Sequence, residues 1–164
     1  MKDTVKLDQF FIKEFTPQLQ KVLIIRTDAG DYELFGKYQI STTKMNNFKV
    51  EKNHPYTYTH EFTSMKNAVT WCTFDNANQF REARRIEDLD MRLSSKEVDI
   101  AIHKKMVKSA KDTDSKWIYL IKLEEDNTKK RTMLNELHSY INISKMMQER
   151  KFEETKHPGF SRLR

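Results

Sequence analysis

No glycine and no proline interrupts residues 64–150, which read SMKNAVTWCTFDNANQFREARRIEDLDMRLSSKEVDIAIHKKMVKSAKDTDSKWIYLIKLEEDNTKKRTMLNELHSYINISKMMQER. Glycine and proline are the residues least compatible with a helix interior, so the whole stretch is free to be helical. Apolar side chains recur in it at intervals of three and four, the spacing that places them on one face of a helix. The stretch, more than half of a 164-residue chain, therefore predicts several long amphipathic helices.

Four local signals predict where these helices begin and end. Thr63 or Ser64 is the expected N-cap of the first helix, and the polar residues 75–78 are expected to end it. The sequence SSKE at 94–97 has the form of a capping box and predicts that a new helix begins there. The next cap candidate lies at 112–114. The helix that begins at 94 is expected to carry its apolar stripe on Val98, Ala101, Ile102, Met106 and Ala110, and the last helix on Trp117, Leu120, Ile121 and Leu123.

Nine consecutive polar residues, 124–132, leave two interpretations of the last helical segment. In the first, a turn near Asp126 and Asn127 separates two helices. In the second, one helix crosses a region where it has no partner and both sides are wet. The turn is the favoured interpretation.

The N-terminal part of the chain predicts strands. Alternating or β-branched runs at 21–26, 31–40, 48–50 and 56–62 are separated by turn residues, as in a β-meander of three or four antiparallel strands. The predicted fold is therefore α+β, a small antiparallel meander followed by a long helical hairpin or bundle with coiled-coil character. The expected organisation is an N-terminal arm (1–20), a β-sheet plus helix cap (21–75), the helical hairpin or bundle (76–152) and a basic C-terminal tail (153–164).

Composition favours a soluble intracellular protein. Thirty basic and 24 acidic residues are interleaved along the chain, so the net charge of +6 describes a mixed surface more than a basic field. Cys72 is the only cysteine and cannot form an intramolecular disulfide. No apolar run approaches the length of a membrane span, and the N-terminus lacks the apolar core of a signal peptide. We expect a cytoplasmic location, which means host cytoplasm or virion if the protein is viral, and no membrane partner.

Motifs for chemistry are absent. The five histidines and Cys72 do not occur at the spacings that place two ligands on one metal ion, and three glycines cannot build a phosphate loop. Cys72 lies on an expected buried face, and the acidic residues at 82–90 and 124–126 lie three or four positions from basic ones, as in surface ion pairs. We therefore predict no enzyme, no cofactor, no metal and no small-molecule substrate.

The sequence from Phe62 to Trp71 places an aromatic residue, a helix cap, and then Ala68 and a second aromatic after two strands. In this respect residues 38–72 resemble the sheet-plus-helix modules of AP2-like DNA-binding domains, and the resemblance implies a sheet face that reads DNA. The segment 68–72, followed by long charged helices, resembles uncharacterised small proteins of tailed phages. That resemblance implies a source and no activity.

Two functional hypotheses follow. The first is a non-enzymatic assembly or adaptor protein, phage or viral, that binds a protein partner or forms a homo-oligomer through helical stripes, because exposed apolar stripes need covering. Its candidate binding residues are Ile86, Leu89, Leu93, Leu134, Leu137 and Ile141. The alternative is a nucleic-acid-binding protein that uses a lysine-bearing sheet, with exposed tyrosines beside it, and basic helix faces. Its candidate residues are Lys44, Lys49, Lys52, Arg81, Arg84 and Arg85.

Overall fold

The computed structural model describes residues 24–26 and 31–156, with side chains from 31 to 150, and it confirms the α+β fold. The predicted arm at 1–20 and residues 157–164 of the predicted tail lie outside this range. The elements are β1 (Ile24–Arg26), β2 (Tyr32–Leu34), β3 (Tyr38–Thr42), β4 (Phe48–Lys52), β5 (Tyr58–Phe62), α1 (Met65–Asn76), α2 (Phe80–Ser109) and α3 (Thr113–Lys156).

The chain forms two compact units. Unit 1 contains the sheet, α1, the start of α2 as far as Glu87 and the end of α3 from Tyr140. Unit 2 is Asp88–Ser139, the remainder of α2 and α3 with the short connection between them.

The sheet is a meander of five antiparallel strands in sequential order, one strand more than the largest number predicted. The additional strand arises because the run 31–40 contains a three-residue turn, residues 35–37. Phe35 and Gly36 both have positive φ, 58° and 66°, and the N–H of Lys37 donates to the carbonyl of Leu34 at 3.0 Å. A positive φ at both central residues is the feature of a type I′ β-turn, and Leu34 pairs with Tyr38 across it. The run therefore folds back on itself as β2 and β3.

One face of the sheet forms the core of unit 1. Alternate residues along the strands point to this face, and the fully buried ones are Tyr32, Leu34, Tyr38, Ile40, Val50 and Phe62. The opposite face is polar. Its described residues are Glu33, Gln39, Ser41, Lys49, Glu51, Thr59 and Glu61.

Helix α1 begins and ends where the sequence predicts. Ser64 is its N-cap and accepts a hydrogen bond from the N–H of Asn67 at 3.1 Å. At its C-terminus Asn78 has φ 60°, its N–H donates to Asp75, and the N–H of Gln79 donates to Phe74. This is a Schellman motif with asparagine in the left-handed position.

Helix α1 is buried between two layers, with ten of its 12 residues buried. On the sheet side, the ring of Tyr58 stacks on Trp71 at a centroid separation of 4.2 Å. On the other side, Phe74 meets the ring of Tyr140 edge-on, and Gln148 Nε2 donates to Thr73 Oγ1 at 3.2 Å. Helix α1 therefore lies between the sheet and the end of α3.

Helix α2 corrects the prediction of a helix start at Ser94, because the helix runs unbroken through the SSKE sequence. The same face of the helix is buried before and after Ser94. Its buried apolar residues, spaced by three, four and seven, are Ile86, Leu89, Leu93 and Ile100. An unbroken stripe removes the reason for a restart, so the two serines are exposed helix residues. The stripe predicted for the restarted helix was also wrong, since Val98, Ile102 and Met106 are exposed.

Helix α3 corrects the favoured interpretation of residues 124–132, which contain no turn and continue the helix. The polar interval has a partner in α2. Asp126 is 7% exposed and bonds to Lys96 and His103, so a polar side chain occupies a position where an apolar one was expected. The predicted cap at 112–114 is confirmed, since Asp112 accepts from the N–H of Ser115 at 2.7 Å. Trp117 and Ile121, by contrast, lie on the solvent side, contrary to the stripe predicted for this helix.

Candidate partner-binding surface

A buried ion pair joins the sheet to α1 in unit 1. Lys52 Nζ lies 2.6 Å from Asp75 Oδ2, and both side chains are only 1% exposed. The ammonium also lies 4.0 Å from the ring centroid of Tyr56, a cation–π distance, and the hydroxyl of Tyr38 donates to the same carboxylate oxygen. Tyr56 Oη is 3.4 Å from Asp75 Oδ1. The charges are satisfied internally, as buried ions must be.

The titratable groups around this pair are held in their neutral forms. Burial, and then the hydrogen bond to Asp75, raise the pKa of Tyr38 above its usual range. Burial also raises the pKa of the Cys72 thiol, with the Asp75 charge adding to the effect. A thiol must ionise to act as a nucleophile. The cluster is therefore suited to holding the layers of unit 1 together, and Cys72 behaves as a small apolar residue.

A second polar group in unit 1 joins β5 to the start of α2. Tyr58 Oη donates to Glu87 Oε2 at 2.9 Å, and His60 Nδ1 lies 3.4 Å from Glu87 Oε1. Burial and then the neighbouring Glu87 charge raise the pKa of Tyr58. Tyr58 is half-buried, and the face of its ring that stacks on Trp71 is closed to an external ligand.

The central polar group of unit 2 is Asp126 with its two partners. Lys96 Nζ lies 3.3 Å from Asp126 Oδ1, and His103 Nδ1 lies 2.5 Å from Asp126 Oδ2. Although burial opposes it, hydrogen bonds from His103 and Lys96 lower the pKa of Asp126. Hydrogen bonds to Asp126 and Asp99 raise the pKa of Lys96. Lys130 Nζ and Glu97 Oε1, 2.5 Å apart, add an ion pair between the same helices. A polar contact of this kind fixes the register of two paired helices.

An open groove of about 540 Å³ runs beside this polar group in unit 2. Two of its cations are already engaged, Arg92 by Asp88 at 2.8 Å and Lys96 by Asp99 and Asp126. Thr128 and Thr132 direct their hydroxyls to carbonyls of their own helix. Most of the charged and hydroxyl groups named here are therefore already paired within the chain. Its lining residues are Arg92, Ser95, Lys96, Asp99, Thr128, Lys129, Thr132 and Met133.

Within the described part of the chain, no group of three or more histidine, cysteine or carboxylate side chains is arranged to hold a metal ion. No helix among those residues has the length and apolar character needed to cross a membrane.

The structure places most of the residues predicted to bind a partner in the interior. Ile86 and Ile141 are buried in unit 1, and Leu89, Leu93 and Leu137 are buried in unit 2. Leu134 is half-buried. Their role in partner binding stays a prediction. Because most of them are buried, the apolar residues that remain exposed are more accessible to a partner.

The residues predicted to contact nucleic acid do not converge on one surface. Lys52 is buried in its ion pair, which removes it from any external surface. Lys49 lies on the outer sheet face and pairs with Glu51 at 3.3 Å. That face carries three glutamates and this one lysine among its described residues, so it is acidic. Arg81 and Arg84 are exposed on α2, Arg85 is half-buried, and Lys44 is exposed in the β3–β4 turn.

Unit 2 carries exposed apolar side chains on both of its helices. Near the N-terminus of α3, Trp117, Ile118, Leu120 and Ile121 are 37–60% exposed, and we call them the α3 patch. On α2 the exposed residues are Met91, Val98, Ile102 and Met106, which we call the α2 stripe. Apolar clusters on a soluble protein surface are characteristic of interaction sites. The apolar residues of the α2 stripe are evident in the sequence. The helix predicted to begin at Ser94, however, placed three of them, Val98, Ile102 and Met106, on its buried face.

Comparison with protein-family models, with curated proteins and with solved structures gave no match for this chain.

Proposed function

We propose that this protein is a non-enzymatic assembly or adaptor protein that binds a protein partner through the hairpin of unit 2. The α3 patch is the observation that carries the proposal. It places Trp117 and three aliphatic side chains in solvent within five residues, on a helix that begins with an Asp112 cap. Tryptophan is among the residues most enriched at the energetic centres of protein interfaces.

The magnitude of burial sets what the partner must supply. Complete burial of a large apolar side chain contributes about 1.5–3 kcal/mol, so covering four half-exposed ones contributes about 3–6 kcal/mol. Association costs about 4–15 kcal/mol in lost translational and rotational freedom. The α3 patch alone is therefore insufficient for tight binding. The partner should contact neighbouring surfaces of unit 2 as well.

The internal polar clusters support a structural role for the rest of the fold. The spacing of three and four on the inward face of α2 is that of a coiled-coil seam, and the contact of Lys96 and His103 with Asp126 would fix its register. A hairpin of this kind presents its outer faces on a rigid support. The resemblance to small proteins of tailed phages makes virions and infected cells the source in which to look for the partner.

Site-specific photo-cross-linking tests the proposal. A photoreactive phenylalanine analogue at position 117, in the full chain expressed in its source cells, should give an adduct of discrete mass. The same analogue at Asn127, an exposed polar position on the same helix, is the control and should give none. Equal labelling at the two positions, together with a strict monomer in light scattering, would contradict the proposal.

The alternative, nucleic-acid binding, predicts an affinity that falls steeply with salt because phosphate contacts release counterions. Fluorescence anisotropy with a labelled duplex at low and high salt tests it. Absence of binding at low salt would remove this alternative. The acidic outer face of the sheet makes absence the expected result.

A further inference from the structure

Helix α2 carries apolar residues on two opposite faces. Its inward face includes Ile100, which is 5% exposed, whereas Ile102 is 44% exposed. Two positions correspond to about 200° around a helix, so Ile102 points away from the face that contacts α3. The remaining members of the α2 stripe lie on the same outer face, because successive members of the stripe are separated by intervals of seven and four. α3 therefore cannot cover the stripe within unit 2.

We propose that a second copy of this chain covers the α2 stripe, in an antiparallel pair of α2 helices whose two-fold axis lies between Lys96 and Glu97. The proposal rests on the proposed function, assembly through the helices of unit 2, and assigns the partner of this one face. A two-fold pair is isologous, so one surface must be complementary to itself.

The spacing of the stripe is self-complementary in this register. A two-fold axis between positions 96 and 97 brings Met91 opposite Ile102 of the second copy. It also brings Ser95 opposite Val98 of the second copy, a small side chain against a branched one. Each contact occurs twice, so four layers form from residues that are 44–57% exposed, together with an exposed serine.

Charge selects the antiparallel direction. Arg92 and Asp99 lie on the same edge of the α2 stripe, seven positions apart. Each has an ion pair within its own helix, with Asp88 and with Lys96, yet their side chains remain 65% and 45% exposed. In an antiparallel pair, residues on the same edge of the two helices become neighbours, so Arg92 meets Asp99 of the second copy, twice by symmetry. In a parallel pair these two residues would remain about 10 Å apart along the axis. Opposite charges at such edge positions determine the orientation of paired helices.

The charge distribution along α2 favours the same direction. The charges outside the interior are three acidic and two basic over residues 88–99, because Asp90 is buried, whereas residues 100–109 of α2 contain three lysines and no acidic residue. An antiparallel partner keeps the lysines of the two copies apart, whereas a parallel partner would align them side by side. With the two-fold axis between positions 96 and 97, Lys104 and Lys105 lie level with Leu89 and Asp88 of the second copy. Lys104, Lys105 and Lys108 are exposed on α2, so a second copy can approach their charges.

Sedimentation velocity over a concentration series is the first test. The wild-type full chain should show a reversible monomer–dimer equilibrium, and Ile102→Glu should raise the dissociation constant about tenfold or more. Ile143→Glu is the matched control, since it makes the same change at an isoleucine of α3 that is 45% exposed and lies outside both the α2 stripe and the α3 patch, and it should leave the dimer intact. A wild type that stays monomeric, or an Ile102→Glu variant that dimerises as well as the wild type, would overturn the inference.

A mixing experiment tests register and direction. Arg92→Asp alone and Asp99→Arg alone should each weaken the homodimer, because each brings like charges together twice. An equimolar mixture of the two variants should form a heterodimer, because both edge contacts then join opposite charges. The carboxylate introduced at position 92 meets the guanidinium introduced at position 99, and the native Arg92 of one chain meets the native Asp99 of the other. Circular dichroism checks that each variant is folded. If the mixture associates no better than either variant alone, the antiparallel register is wrong.

The two proposals fail in different ways. Loss of the photo-adduct at position 117 with a dimer that is disrupted by Ile102→Glu would remove the proposed partner of the α3 patch and keep the self-pairing. A monomeric wild type that still gives the adduct would remove the self-pairing and keep the adaptor function.

Discussion

Substitutions in the buried ion pair of Lys52 and Asp75 should change the free energy of unfolding, and both the sign and the size of that change test the role of the pair. At 2.6 Å and an effective dielectric constant of about 20, two unit charges attract by about 6 kcal/mol. Moving each ion out of water costs several kcal/mol, so the pair as a whole contributes little net stability. Removal of one partner is different, because it leaves a buried charge without compensation and costs about 3–5 kcal/mol.

The two single substitutions should differ. After Lys52→Met, the Asp75 carboxylate still accepts hydrogen bonds from Tyr38 and has Tyr56 nearby, so the expected loss is about 3 kcal/mol. After Asp75→Leu, the ammonium retains only aromatic faces and the buried Tyr38 hydroxyl loses its acceptor. The expected loss is then about 5 kcal/mol.

The double variant Lys52→Met/Asp75→Leu should be more stable than Asp75→Leu alone, because it removes the uncompensated charge. Urea unfolding measures this, followed by the fluorescence of Trp71, whose ring centroid is 5.7 Å from Lys52 Nζ. The exposed Trp117, the only other tryptophan, is replaced by phenylalanine in every variant so that the signal comes from unit 1.

A double variant at least as unstable as Asp75→Leu would refute this reasoning, since removal of the uncompensated ammonium would then have recovered no stability. Asp75→Asn, which keeps an acceptor for Tyr38, serves as a milder variant if Asp75→Leu does not fold. Its loss should lie below that of Asp75→Leu.

Three further predictions concern other sites. Hydrogen bonds lower the pKa of Asp126 despite its burial, so the stability that Asp126 contributes is present above its ordinary pKa of 3.8 and is lost as the pH falls. The difference in unfolding free energy between wild type and Asp126→Asn should therefore shrink below about pH 4. A difference that stays constant with pH would contradict this. Asn78→Val should cost about 1–2 kcal/mol because a β-branched residue resists the left-handed conformation, whereas Asn78→Gly should be neutral or stabilising in the same thermal unfolding assay. Cys72 should react with a thiol reagent only as fast as unit 1 opens, because burial raises its pKa; rapid labelling of the native protein would show that the site is accessible.

The sequence predicted most reliably the features that depend on neighbouring residues. The strand runs follow from alternation and turn residues, and the caps at Ser64 and Asp112 are local hydrogen bonds. The same local reasoning failed at Ser94 and at residues 124–132. At Ser94 a complete capping-box sequence is outweighed by the continuous burial of Leu93 and Ile100 on one face.

The helix through 124–132 depends on a contact that no local pattern contains. Asp126 is matched by Lys96, 30 positions away, and by His103. Reading Asp126 as a surface residue made the interval look unsupported. A second local inference, the helix start predicted at Ser94, affected the candidate surface. It placed Val98 and Ile102 on a buried face, so the exposed α2 stripe was not predicted.

The hydrogen bond between Gln148 and Thr73 spans 75 positions of sequence and belongs to the layer that covers α1. During translation at about 5–20 residues per second, this covering segment is made about 4–14 s after α1 itself. Throughout that interval the nascent sheet and α1 expose the apolar face that this segment later covers. We therefore expect newly made chains of this protein to bind holding chaperones, and slowing the ribosome between codons 76 and 148 should increase aggregation of the product.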